Sequence, residues 1–198
     1  MLKQSYCNQI EAGCDEAGRG CLAGPVVAAA VILPKNFNNK ILNDSKLLSQ
    51  NKRLILEKII KEKSIAWSIS SVNRKKIDEI NILNASFLAM NYAIKKLTIT
   101  PELVLIDGNR FRTTTDIKYK CIVKGDQQFM SIAAASILAK NYRDNIMEKL
   151  HEKHPNYNWK KNKGYPTKEH RSGIKKHGIT KYHRRSFQLI KTQLTLSL

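Results

Sequence analysis

Long apolar runs are absent from the sequence. The longest, Val26–Leu33, covers eight residues, whereas a helix crossing a bilayer needs about 20, so no membrane span is expected. The opening stretch, Met1–Ile10, is polar and lacks the apolar core of a secretory signal. Cysteine is sparse. The four cysteines at positions 7, 14, 21 and 121 form no Cys-x-x-Cys pair and keep no ligand-like spacing to the histidines, which argues against a disulfide framework and against a zinc site. Free thiols suit a reducing compartment, so a cytoplasmic protein is expected. No internal repeat and no low-complexity linker divides the chain. The deficit that says most is in acidic residues: 16 Asp and Glu face 35 Lys and Arg, leaving a formal charge of +19.

A surplus of that size favours a polyanionic partner, because each phosphate that a cation neutralises releases condensed counterions. The length, 198 residues, fits one domain that buries roughly two thirds of its unfolded surface, so no staple is required. Periodicity supplies the elements. Ile10–Asp15 and Val26–Leu33 read as two strands of a hairpin joined by the Gly-rich turn Ala17–Pro25, the second apolar throughout as befits a strand buried on both faces. Ser49–Lys63 reads as a helix capped by Ser49, and Ile65–Val72 as a third strand. Leu83, Phe87, Met90, Ile94 and Leu97 mark an amphipathic helix. Leu103–Asp107 and Tyr119–Val123 are further strands, and a helix follows from about Ser131 to Lys153, with a shorter one near Lys168–Lys176 and another from Phe187. Five strands with interleaved helices predict an α/β domain with a mixed sheet, its core at 1–154 and a basic helical extension at 155–198 packed on that core.

Against so basic a background, acidic residues at strand ends stand out. Asp15 and Glu16 close the first strand, Asp107 the fourth, and Asp126 follows the fifth. Strand ends are where open α/β sheets place their sites. Hard divalent ions take oxygen ligands, and a pair of them can stabilise both the attacking and the leaving oxygen of a phosphodiester. Turn or cap roles are the alternative for each residue taken singly. Adjacent strand residues point to opposite faces, so Glu16 is expected where the chain already turns into Ala17-Gly18-Arg19-Gly20. Glycines at 18 and 20 let the backbone approach a sugar closely, and Arg19 can meet a phosphate in bidentate fashion.

The run Asp15-Glu16-Ala17-Gly18-Arg19-Gly20, continuing through Cys21-Leu22-Ala23-Gly24-Pro25-Val26-Val27, resembles the signature of the ribonuclease HII family. Six further blocks resemble that family in order: Asn43–Lys46, Ile106–Gly108, Lys124–Asp126, Ser131–Lys140, Lys163–Tyr165 and His183–Phe187. The resemblance implies a ribonuclease H-like fold and an endonuclease that cuts the RNA strand of RNA–DNA hybrids. It also implies cleavage 5′ of single ribonucleotides embedded in duplex DNA, leaving a 5′-phosphate. Asp15, Glu16, Asp107 and Asp126 would be its catalytic carboxylates, holding Mn²⁺ or Mg²⁺. Gly18, Arg19, Gly20 and Tyr165 would sense the ribose at the junction, with Lys46 and Arg184 as phosphate contacts. The sister ribonuclease HIII family looks less similar, since it usually carries Gly-Lys-Gly at the turn and an N-terminal extension.

Two other readings compete. A ribonuclease H-like enzyme acting on DNA would share the carboxylates but has no need of the Gly-Arg-Gly turn and Tyr165. A non-catalytic binding protein gives no reason for acidic strand ends, since carboxylates repel phosphate unless metal intervenes. Lys160-Lys161-Asn162-Lys163 and Lys168 to Lys181 would supply non-specific attraction to the backbone. His151 and His154 are read as a surface pair, Asp144 as one partner of a structural ion pair within a helix, and Asp44 as a turn residue. A monomer is expected. The tail Gln193–Leu198 resembles the short Gln-Leu-x-Leu peptides that dock on bacterial sliding clamps, and its alternating leucines suit an extended peptide; the alternative, and the more usual fate of terminal leucines, is packing onto their own domain.

Overall fold

The computed structural model describes residues 2–39, 41–42 and 48–190. Lys46, Asp44 and the tail Gln193–Leu198 lie outside the described residues. Strand β1 (Glu11–Ala17) and strand β2 (Val26–Ile32) form the expected antiparallel hairpin, with Gly13 opposite Val31 and Ala17 opposite Val27. Strand β3 (Ala66–Val72) pairs antiparallel with β2, while β4 (Leu103–Asp107) lies parallel to β1 and β5 (Lys118–Ile122) parallel to β4. The sheet is therefore five-stranded and mixed, in the order β3-β2-β1-β4-β5. Every residue of β2 is buried, whereas β3 on the edge alternates buried with exposed.

Helices cover both faces. Helix α2 (Arg74–Lys95) packs through Ile77, Ala85, Ala89 and Ala93 on the face that carries Ala12, Cys14, Ala28 and Ala30. On the other face α3 (Met130–Lys153) lies on Val27, Ala29 and Val31, with α1 (Gln50–Lys63) beside it through Leu56 and Ile60. The apolar first half of α3 can come so near because its residues are small and because β1 has a glycine there. A Cβ built on Gly13 would sit 2.1 Å from the backbone carbon of Ser131. Ser49 caps α1 by accepting from the Lys52 amide, as its sequence position foretells.

Four expectations need correction. Strand β1 runs on through Glu16 to Ala17, so Glu16 sits within the ladder opposite Ala28 rather than in the turn. Helix α2 begins at Arg74, nine residues before the apolar stripe, because Asn73 caps a first segment; Asn81, at φ 65°, then kinks the chain, and its side chain accepts from the Asn84 amide to restart the helix. No helix begins at Phe187 among the described residues, which run irregularly to 190. Beyond α3 come a 3-10 turn (Pro155–Tyr157), the short α4 (Trp159–Asn162) and α5 (Lys168–His177). These gather round the fully buried Trp159, whose indole N–H donates to His170 Nε2 at 2.9 Å. His154 belongs to the same aromatic cluster, edge-on to Trp159 and Tyr182, so the expected surface pair with His151 is instead half-buried.

Candidate active site

Two parallel strands deliver the first two carboxylates. Gly13 lies beside Leu105 and Cys14 beside Ile106, which carries Asp15 to the side of Asp107 at the carboxyl end of the sheet. Cys14 and Ile106 face α2, so Asp15 and Asp107, one residue on, both turn toward α3. Glu16 should face the opposite way. It nevertheless lines the same cavity of about 720 Å³ as Asp15 and Asp107, since the site opens at the strand end where β4 has already stopped.

The three carboxylates crowd one another. Burial pushes the Asp15 carboxyl well above the usual carboxylate range, and the charges of Glu16 and Asp107 push it further, against bonds from Ser136 and the Glu16 amide. The Glu16 amide donates to Asp15 Oδ1 at 2.7 Å. Burial also raises Glu16, opposed by Arg19, whose Nη1 lies 3.2 Å from Oε1. The second Glu16 oxygen, Oε2, is buried without a hydrogen-bond partner among the described residues. Asp107 Oδ1 accepts from the Gly125 amide at 2.7 Å. Next to Gly125, Asp126 is only 2% exposed in the 3-10 turn Gly125–Gln127 and does not line the cavity.

Like charges held together out of water, with a carboxylate oxygen left over, fit a hard divalent cation by their chemistry. Among the described residues no three Asp, Glu, His or Cys side chains form a closed ligand set. Mg²⁺ does not require one, because it is commonly held by one or two carboxylates plus substrate phosphate and water.

The Gly-Arg-Gly turn forms the next wall. Gly18 has φ 97° and stands so close to Arg143 that a Cβ would fall 1.9 Å from Nε, so only glycine serves there. Arg19 and Gly20 are exposed at the cavity. Tyr165 stands opposite, 42% exposed, its ring edge 4.0 Å from where a Gly20 Cβ would be. Burial and the neighbouring Cys21 raise the Tyr165 hydroxyl, which therefore keeps its proton at neutral pH. The rim is basic: Arg53, Lys140, Lys160, Lys161 and Lys163 line the same cavity. Asp144 is indeed tied up structurally, with Lys140 Nζ at 2.7 Å and Arg53 Nη2 at 3.5 Å.

Arg184 is not where a phosphate contact must be. It is wholly buried, and its guanidinium donates to the carbonyls of Gly18 (2.7 Å), Arg19 (2.8 Å), Gly24 (3.0 Å) and Pro25 (3.2 Å). Burial and the nearby Arg143 pull it down to about 10, which still leaves it cationic at pH 7. Arg143, 1% exposed, donates to the carbonyls of Ala23, Pro25 and Lys163. Sequence reasoning passed over Arg143, although the one cation on the stripe Ala139, Arg143, Met147 was a signal. It also passed over the buried His170–His183 pair, whose Nε2 atoms lie 3.2 Å apart.

Comparison with known proteins places the chain in a family. The ribonuclease HII family model matches residues 12–190. A ribonuclease HII of Christiangramia forsetii is 60% identical over 185 residues, 93% of each chain. Among solved structures, the ribonuclease HII of Archaeoglobus fulgidus, in complex with PCNA, superposes with a TM-score of 0.75 at 26% identity, covering 93% of this chain and 98% of that one. A Bst ribonuclease HIII bound to Mn²⁺ has the same fold, with a TM-score of 0.70 at 20% identity over 90% of this chain and 67% of its own. This chain belongs to the ribonuclease HII family and is a ribonuclease H, an endonuclease that hydrolyses the RNA of RNA–DNA hybrids.

Proposed function

We propose that the chain cuts on the 5′ side of a ribonucleotide, including a single one embedded in duplex DNA, and leaves a 5′-phosphate. The observation that carries this reading is the convergence of Asp15, Glu16 and Asp107 on one cavity whose other walls are the Gly-Arg-Gly turn, Tyr165 and a row of lysines. Water attacks phosphorus, the bond from phosphorus to the upstream 3′-oxygen breaks, and that oxygen takes a proton. Asp15, Glu16 and Asp107 would hold the divalent cation, Mg²⁺ or Mn²⁺, with Asp126 completing the set. A bound cation supplies charge stabilisation at the attacking and leaving oxygens. The Mn²⁺ complex of the Bst ribonuclease HIII supports this choice of ion. The turn and the protonated Tyr165 face the ribose, whose 2′-hydroxyl is the one group separating RNA from DNA, while Lys160 and Lys161 draw in the backbone.

The test is cleavage of a duplex with one embedded ribonucleotide in Mg²⁺, in Mn²⁺ and in chelator, with product ends read by mass spectrometry. Cation-dependent cutting with a 5′-phosphate is expected. Cutting in chelator, or a 3′-phosphate product, would overturn the reading.

A second contact is proposed for the tail. Gln193–Leu198 would place alternate leucines in the apolar groove of a sliding clamp, and the PCNA complex of the Archaeoglobus relative favours such a partner. The full chain should recover purified clamp in a pull-down and a chain ending at Thr192 should not. Equal recovery by both would remove the tail contact.

A further inference from the structure

The turn between β1 and β2 poses an accounting problem. Across residues 18–25 the only β pairing among the described residues is a single antiparallel bridge from Ala23 to His183, so most of the turn's carbonyls lack ladder partners, and buried carbonyls need donors. Two arginines supply them. Arg184 takes the carbonyls of Gly18, Arg19, Gly24 and Pro25, and Arg143 those of Ala23 and Pro25. Both guanidinium groups are buried, and both bind this turn to the C-terminal extension: Arg143 also holds the Lys163 carbonyl, while Arg184 belongs to the extension and donates its own amide to Leu22 O at 2.8 Å.

Peptide planarity gives this arrangement a consequence for the site. In a trans peptide the N–H points opposite to the C=O that precedes it, and there are no cis bonds among the described residues. Drawing the Gly18 and Arg19 carbonyls inward onto Arg184 therefore turns the amides of Arg19 and Gly20 outward, on the side of the cavity that these residues line. Neither amide has an acceptor among the described residues. Successive N–H groups presented in this way make a concavity for an anion or a hydroxyl oxygen.

Building on the proposed ribose-reading role of the turn, we infer that Arg184 is a positioning residue for specificity, which never touches substrate but fixes the direction of the Arg19 and Gly20 amides. The extension thereby does two things at one place. It carries Tyr165 to one side of the ribose position, and through Arg184 it aims the backbone on the other. Its own geometry is locked in turn by His170, whose Nδ1 lies 2.9 Å from the Tyr165 carbonyl, and by His183, adjacent to Arg184 and bonded to the Thr180 amide at 2.9 Å.

Arg184→Lys retains the charge but replaces the rigid fork with one ammonium, and Arg184→Ala empties the site for added guanidinium. The folded Arg184→Lys protein should bind the duplex in chelator with unchanged Kd and unchanged salt dependence, yet cut it ~10²-fold more slowly in single turnover, the cost of a small misplacement. Millimolar guanidinium should recover part of the rate in Arg184→Ala. A Kd that rises while its log–log salt slope drops by about one would make Arg184 a phosphate contact and overturn the inference, as would a folded variant cutting at the wild-type rate. Where neither variant folds, hydrogen exchange on the wild type decides: the Arg19 and Gly20 amides should exchange freely and become protected by the duplex, and protection in the free protein would contradict the inference. Running the same variants on a long RNA–DNA hybrid separates the two readings, because a wild type that ignores single ribonucleotides fails the proposed function while Arg184 can still be scored on the hybrid.

Discussion

Tyr165 combines two properties that suit a sugar contact. Its ring stands over a glycine with no side chain to intervene, and the residue is 42% exposed while burial of its hydroxyl keeps the proton on. Tyr165→Ala should therefore cut a single-ribonucleotide duplex at least ten-fold more slowly while melting within a few degrees of wild type, since a half-exposed side chain leaves little cavity on removal. Tyr165→Phe separates the ring from the hydroxyl. If Tyr165→Ala lost melting temperature in proportion to activity, the tyrosine would be a packing residue. At this scale the strand-end acids could be picked out from the sequence, because acid there in so basic a chain has few structural reasons to be present, and Asp15, Glu16 and Asp107 line one cavity while Asp126 does not. It misled for Arg184. A buried arginine and a phosphate-binding arginine look the same in sequence, and only the four carbonyls around the guanidinium distinguish them.

Among the elements, strands and long helices followed from periodicity, and the hairpin, the mixed sheet and α3 stand where the apolar patterns put them. The first turns of α2 did not follow, because Asn81 at positive φ interrupts the helix and the segment before it has a weak apolar stripe. The C-terminal extension was the least readable element. Its order comes from aromatic and histidine contacts around Trp159, which have no period. That cluster carries a pH dependence. Burial and the neighbouring His170 hold His183 down to about 4, whereas an unfolded histidine titrates near ~6.5. Below the unfolded value the unfolded chain takes up a proton that the folded chain refuses. The contribution is thus complete above about pH 6.5, declines as pH falls, and stops changing below about pH 4. Urea unfolding should show a loss on the order of 2 kcal/mol from this source between pH 7 and 4.5, seen as a shallower slope in His183→Asn than in wild type. Parallel slopes would mean the pair is not held neutral.

Across the whole molecule, the +19 charge and the acidic cavity divide the work. Lysines on the rim attract a polyanion, and the carboxylates within it would repel that polyanion unless a cation stood between. No helix among the described residues is long and apolar enough to cross a membrane. The fold class was open to inference because it depends on patterns spread over many residues. The meeting of Asp15 with Asp107 was only partly so, since it requires β1 and β4 to be parallel neighbours, a pairing across 92 positions that no local pattern states. That meeting is the central claim, and Asp107→Asn tests it most directly, because the amide keeps the shape and removes the charge that a divalent cation needs. Single-turnover cleavage of a duplex with one ribonucleotide in Mg²⁺ should fall by about 10³-fold or more, as for loss of a group that stabilises the transition state, with circular dichroism and melting close to wild type. Cutting by Asp107→Asn at near the wild-type rate would contradict the account.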